Sequence, residues 1–268
     1  MDIPQHAQPI IDLIRKVWKY VKESKASHLD GNKLKDLKIT ITTLDFDNGK
    51  PGDNGEIFIN PFPHNKMLQL INRNQPWLNP YGCPSILPVD EALDNDGQAR
   101  NFCNVALSYL SLNIDVSAPG VIDGTVWEIQ TPSRQDCLSR WDDYAHWNVP
   151  NYLVTNDSAK PHMIAFVADQ APLRDGVLSM SEVQVTLLLT GRGVLRNGCR
   201  YNQIVPVTML CVSGYQVRIT QTYIYTAEEH MRVRMTRIID FKEGEMKKRD
   251  DFCRLLCWIV GDPVGKTA

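Results

Sequence analysis

One run constrains the fold of this chain more than any other: residues 205–240, which read as antiparallel sheet. Val205 to Val212 is apolar and breaks at Ser213-Gly214, a turn pair. Tyr215 to Tyr225 then alternates strictly between apolar and polar residues, and Met231 to Ile239 follows after a second turn. Successive strand side chains point to opposite faces. Period two therefore sets Arg218, Thr220 and Thr222 on one face, and Arg232, Arg234 and Thr236 on one face of the next strand. Such a face is either solvated or a groove for a polyanion, since arginine pairs bidentately with phosphate. Arg218, Arg232 and Arg234 are the candidate nucleic-acid contacts, together with Arg140.

A second stretch, residues 119–157, concentrates polar groups among apolar ones. Asp123-Gly124 between Val121-Ile122 and Thr125-Val126 is a type I′ hairpin signal. The arm after it carries Glu128 and Gln130 on one face, with Trp127 and Ile129 on the other. Pro132 and Ser133 open an expected helix over 133–147, with Leu138, Trp141 and Ala145 at helical spacing. In that helix Asp142 and His146 are four apart and within reach, as are Arg140 and Tyr144. A histidine beside a carboxylate is either a general base or a surface pair capping the helix end. A short buried strand, Tyr152 to Thr155, closes the stretch. The candidate catalytic residues are Glu128, Gln130, His146, Tyr144 and Asp142, gathered where the strand meets the helix.

These motifs resemble the core of the PD-(D/E)XK nuclease superfamily. There, one strand brings an Asp after a Pro, the next brings Glu-x-Lys, and a helix and strand follow, the strand often ending in a Val-Thr-Asn-like turn. Here the Glu-x-Lys place reads Glu128-Ile129-Gln130, and the later strand ends Val154-Thr155-Asn156. The expected helix over 94–110 stands where the superfamily has its first core helix, sometimes with an acidic residue facing the metal. Asp94 and Asp96 fill that place, or cap the helix. The resemblance implies a central mixed sheet flanked by helices and two carboxylates holding Mg²⁺ beside a lysine. The chain departs from it twice. Pairing about Asp123-Gly124 puts Pro119-Gly120 in the Pro-Asp place, with no carboxylate, and Gln130 stands for the lysine. An active metal site would need Asp115 or Asp123 to join Glu128.

The remaining segments complete an α+β expectation: a central mixed sheet flanked by helices, with a PD-(D/E)XK-like core and a C-terminal antiparallel extension. The whole chain, 1–268, reads as one domain. Its core spans about 91–170, an N-terminal helix and a Pro/Asn-rich cover precede it, and a β-rich extension with a final helix follows. Residues 10–22 are an amphipathic helix with Ile10, Leu13, Val17 and Val21 in one stripe. The type of 178–192 stays open, because Ser181-Glu182 reads as a helix start while Val183, Val185, Leu187 and Leu189 alternate.

A net charge of −2 offers no global pull toward nucleic acid. Seven cysteines, an odd number without a Cys-x-x-Cys pair, fit free thiols in a reducing, cytoplasmic setting rather than zinc. No run approaches the ~20 apolar residues of a membrane span, and the N-terminus lacks a signal-peptide pattern. No Walker loop, Gly-x-Ser-x-Gly elbow, His-Glu-x-x-His or dinucleotide fingerprint occurs. The leading functional expectation is a nucleic-acid-dependent enzyme on a nuclease-like scaffold that lacks the full metal triad. Its concrete form is a transferase using aminoacyl-tRNA, of the cyclodipeptide-synthase type, without a cofactor and with RNA as partner. The alternatives are a Mg²⁺-dependent nuclease and a non-catalytic nucleic-acid-binding protein.

Overall fold

A computed structural model describes residues 8–78, 93–111, 121–157, 159–195, 204–225 and 229–267. The helices are α1 (Gln8–Glu23), α2 (Gly31–Asp36), α3 (His64–Leu78), α4 (Asn95–Ser111), α5 (Met180–Leu195) and α6 (Arg249–Ile259). The strands are β1 (Ile39–Thr43), β2 (Ile59–Asn60), β3 (Trp127–Gln130), β4 (Ser139–Asp142), β5 (Ala145–Asn148) and β6 (Tyr152–Thr155). They continue with β7 (Met163–Asp169), β8 (Val207–Ser213), β9 (Gln216–Tyr225), β10 (His230–Met235), β11 (Ile239–Asp240) and β12 (Asp262–Pro263). Among the described residues no helix is long and apolar enough to cross a membrane.

Ten strands form one mixed sheet, with the path β1-β10-β9-β8-β7-β5-β4; β6 also pairs with β7, β3 lies outside β6, and β11 pairs with β9. The pairs β1/β10 and β7/β8 are parallel and the others antiparallel. The chain passes from β7 to its parallel neighbour β8 through α5, the crossover a parallel pair requires. The alternation expected over 205–240 is present as the antiparallel series β8, β9 and β10.

Each face of the sheet is covered. On one face α1 and α5 pack over Ala165, Val167, Met209 and Val233. On the other, α4 and α6 pack over Ile164, Phe166, Leu210 and Ile219. The α1 stripe behaves as its spacing predicts: Ile10, Leu13, Val17 and Val21 are all buried. Burying a valine fully contributes on the order of 1.5–3 kcal/mol. Helix α5 has strands on one side and α1 on the other, so it is buried nearly all round, its polar residues included. That removes the polar stripe by which period 3.6 is told from period two, and explains why 178–192 reads ambiguously.

Two expectations over 119–157 are overturned. Asp123-Gly124 is not a hairpin turn: Ile122–Gly124 is a 3-10 turn that Thr125 closes, its N–H bonding Ile122 O at 3.0 Å. Strand β3 pairs instead with β6, Glu128 opposite Val154. The 133–147 segment is not a helix either. Ser133 and Asp136 do form a capping box, but on a single 3-10 turn, which Cys137 ends at φ 54°. The chain then makes the hairpin β4/β5, with Trp141 opposite His146. Its turn is built by Asp142, whose Oδ1 accepts the N–H of Tyr144 (2.9 Å) and of Ala145 (3.0 Å). An aspartate bonding backbone two and three residues on favours a turn over a helix interior. Trp141, His146 and Trp147 add aromatic weight to strand pairing.

Candidate functional site

The residues named from sequence do not form one site. Glu128 lies on the outermost strand, β3, and is exposed, while Gln130 is half-buried on the same face. Asp123 is exposed, and Asp115 lies outside the described residues. The carboxylate of Asp142 holds Arg140 Nε at 2.5 Å, a contact that keeps it below the usual carboxylate range. In the hairpin Asp142 faces Ala145, so it does not serve His146, which packs on the Trp141 ring at 5.4 Å between centroids. Trp141, at 53% exposure, stands on the surface rather than in the core.

The arginine groove is also overturned, because the register separates its members. On β9, Arg218 shares a face with Thr220 and Thr222; Thr222 stands opposite Val233, which belongs to the α5 side. Arg232 and Arg234 point the other way, with Arg234 opposite Gln221. Arg218 and Arg234 are 1% and 0% exposed. Arg234 donates to Asp53 (Nε to Oδ2, 3.1 Å), Glu56 O (2.6 Å) and Tyr223 Oη (2.9 Å). Gly55 is required beside it: a Cβ there would sit 2.4 Å from Arg234 Nη2. Arg232 is half-buried and lies over the Tyr225 ring at 5.6 Å.

Two of the expected residues, Tyr144 and His146, do meet at a cavity of about 360 Å³. Trp147, Asp169, Ser181 and Ser27 also line it, with Asp143 and Gln170. The β4/β5 hairpin supplies Tyr144, His146 and Trp147, the last residue of β7 supplies Asp169, and the first turn of α5 supplies Ser181. Trp147 is 2% exposed, and its indole N–H is buried without a hydrogen-bond partner.

Asp169 is 5% exposed at the end of a fully buried strand. Its carboxylate accepts the Ser181 hydroxyl and the Ala171 N–H (2.9 Å). Burial raises its pKa, those two bonds oppose the rise, and the charges of Glu182 and Asp96 add to it, so the group is pushed up to about 6. Asp96, 1% exposed on α4, is raised for the same first reason, against the pull of Arg100 at 2.5 Å.

Behind Ser181 a polar line runs into the core. Ser179 Oγ lies 2.8 Å from Ser181 Oγ and accepts the Glu182 N–H, while Glu182 Oε2 accepts the Ser179 N–H at 2.8 Å. This is the helix start that Ser-x-x-Glu signals. Glu182, fully buried, also accepts Thr220 Oγ1 (2.6 Å) and forms an ion pair with Arg218. Arg218 gives two further donors to the carbonyls of Arg174 (2.7 Å) and Val177 (2.8 Å). Burial alone would raise the Glu182 pKa, but Arg218 and the hydrogen bonds outweigh it and hold the carboxylate low. The pair therefore stays charged, with its polar atoms satisfied, as a buried ion pair must.

Asp169 and Ser181 were not singled out from sequence. A signal existed: Met163 to Ala168 is wholly apolar, Asp169 ends that run, and a Ser-x-Ser-Glu helix start follows at residue 179. Among the described residues no group of three His, Cys, Asp or Glu side chains is placed to hold a metal ion. No protein family, curated protein or solved structure matches the chain.

Proposed function

We propose that the chain is an acyl-group enzyme, a transferase or hydrolase, whose nucleophile is Ser181 and whose base is Asp169. The observation that carries this reading is the Ser181 hydroxyl bonded to a buried carboxyl on the wall of a cavity that also holds His146. A serine is a weak nucleophile until a neighbouring base takes its proton. A carboxyl with a pKa of about 6 is mostly ionised at neutral pH and still basic enough to accept one. In the proposed step Asp169 takes the Ser181 proton as Oγ bonds to the substrate carbonyl carbon. The carbonyl electron pair moves onto oxygen, where the free Trp147 N–H receives it. When the tetrahedral intermediate collapses, the bond to the leaving group breaks and the Asp169 carboxyl passes that group the proton it took from Ser181. A water or an amine then takes the acyl group from Ser181 by the reverse sequence.

An aminoacyl ester, as carried by tRNA, is the acyl donor that the sequence expectation favours. Burial of Arg218 and Arg234 removes the groove that was to hold its RNA. The test is labelling with a fluorophosphonate, which reacts with activated serines. Adduct mapped to Ser181, and lost in Asp169→Asn, supports the reading; absence of adduct, or adduct on another serine, overturns it.

The nuclease-like scaffold has one observation of its own. Helix, strand, strand, helix, strand occur in that order as α4, β6, β7, α5 and β8, with β3 and the β4/β5 hairpin inserted between α4 and β6. On this alignment the acidic place before the second helix falls to Asp169, and Ala171 stands two residues on, where the resemblance asks for lysine. These residues do not fit a Mg²⁺ site with its lysine, and no cleavage step is assigned to them.

A further inference from the structure

A second cavity, of about 450 Å³, opens beside the turn that joins β8 to β9. It shares Pro172 with the Asp169 cavity, and Asn95, on its wall, donates to Gln170 O at 3.4 Å. The two cavities therefore flank one short strap, residues 170–172. They lie beyond Asp169 and Ser213, the last residues of the parallel neighbours β7 and β8. The crevice outside the carboxyl ends of parallel strands is where open α/β sheets receive ligands.

The second cavity is built for hydrogen bonding. Ser213 is 3% exposed, lines it, and its hydroxyl has no partner. A buried hydroxyl left unpaired is costly unless a ligand or water completes it. Three side-chain amides, Asn95, Gln98 and Gln216, stand around it. A side-chain amide carries both donors and an acceptor, the complement of a peptide group's C=O and N–H, although Asn95 and Gln98 each commit one donor to a backbone carbonyl, Gln170 O and Leu93 O. Asp240 and Lys242 at the rim add one charge of each sign, as the two ends of a peptide carry. Gly214, at φ 57°, keeps the floor open: a Cβ there would lie 3.2 Å from Gln98 Oε1 and 3.3 Å from Asn95 Oδ1.

We infer that this cavity is the subsite for the non-reacting part of a peptide-like substrate, whose acyl carbon reaches Ser181 across the strap. The inference rests on the acyl-group reading, and its test is independent of the chemistry. The chain carrying Ser181→Ala, which cannot turn over, is titrated with triglycine amide and followed by NMR. Saturable binding at millimolar concentration that weakens about tenfold on adding Gln216→Ala is the expected result, since one lost hydrogen-bonding group is worth about that factor. Lys242→Ala, an exposed change that leaves the fold intact, should weaken glycylglycine, whose carboxylate is free, more than the amide. Absence of saturable binding, binding unaffected by Gln216→Ala and Lys242→Ala, or equal binding of glucose at the same residues overturns the inference. Ser181 labelled by fluorophosphonate without peptide binding leaves the enzyme reading standing and removes this subsite alone.

Discussion

Replacing Asp169 by asparagine separates stability from activity in a direction opposite to that of an ordinary buried residue. The Asp169 pKa moves from 3.8 to about 6 on folding. Two units correspond to about 3 kcal/mol between the protonated and ionised forms. The native state binds the proton more tightly than the unfolded chain does. The group's stabilising contribution is therefore complete below about pH 4, falls as pH rises through about 6, and is absent above. Asparagine never ionises, so the variant escapes that loss. It keeps an acceptor for the Ala171 N–H but gives Ser181 a poorer partner, costing about 1 kcal/mol. The variant should be about 1 kcal/mol less stable than the parent near pH 4 and about 2 kcal/mol more stable near pH 7. Urea unfolding followed by tryptophan fluorescence, run on both proteins across this range, reads the difference directly. Taking the difference cancels the other titrating groups. A gap that stays constant from about pH 4 to pH 8 would refute the raised carboxyl. The stabilised variant should also lose fluorophosphonate labelling, the trade expected of a site residue.

Arg218→Met leaves Glu182 buried without its counter-charge and should cost about 3–5 kcal/mol in urea unfolding; a loss under about 1 kcal/mol would mean the pair is solvated. Glu128→Ala should change stability by no more than about 0.5 kcal/mol, because the side chain is exposed on an outermost strand. The protein should not cut DNA or RNA with Mg²⁺ or Mn²⁺, and cleavage that Glu128→Ala abolishes would restore the metal reading of that strand. For any RNA binding that is found, Arg232→Ala should leave the salt dependence unchanged; a slope reduced by roughly 0.7–0.9 would make Arg232 a phosphate contact.

The parts legible from sequence were those where period and environment agree. Strand β9 alternates because each of its faces meets a different helix layer, and α1 carries one apolar stripe because only one side docks. The 133–147 segment failed for a local reason. Leu138, Trp141 and Ala145 have helical spacing, but Leu138 is buried while Trp141 is half exposed, so the spacing never marked one face. The decisive interaction is the Asp142 carboxylate on the N–H groups of Tyr144 and Ala145, which Asp142-Asp143-Tyr144 does not distinguish from a charged helix surface. The arginines failed for a different reason. Alternation says which residues share a face within a strand, but not whether that face is wet, nor which faces of neighbouring strands agree. Register decides the second question, and it set Arg218 opposite to Arg232 and Arg234.

The burial of Arg218 also bears on the cavity it does not touch. Asp169 is held above its ordinary range partly by the negative charge of Glu182. A fully buried glutamate would normally take up a proton, and then it would exert no such push. Arg218 prevents this by keeping Glu182 ionised, at the expense of its own place on the solvent side. Thr220 and the Ser179 N–H finish the remaining acceptor positions, so the charge is stable where it stands. The residue that reads from sequence as a phosphate contact thus acts through Glu182 on the basicity of Asp169. A polar line of this length between a helix and a sheet is hard to justify by stability alone, since a well-packed apolar replacement is often at least as stable. It is accounted for if the cavity needs a carboxyl that titrates near neutral pH.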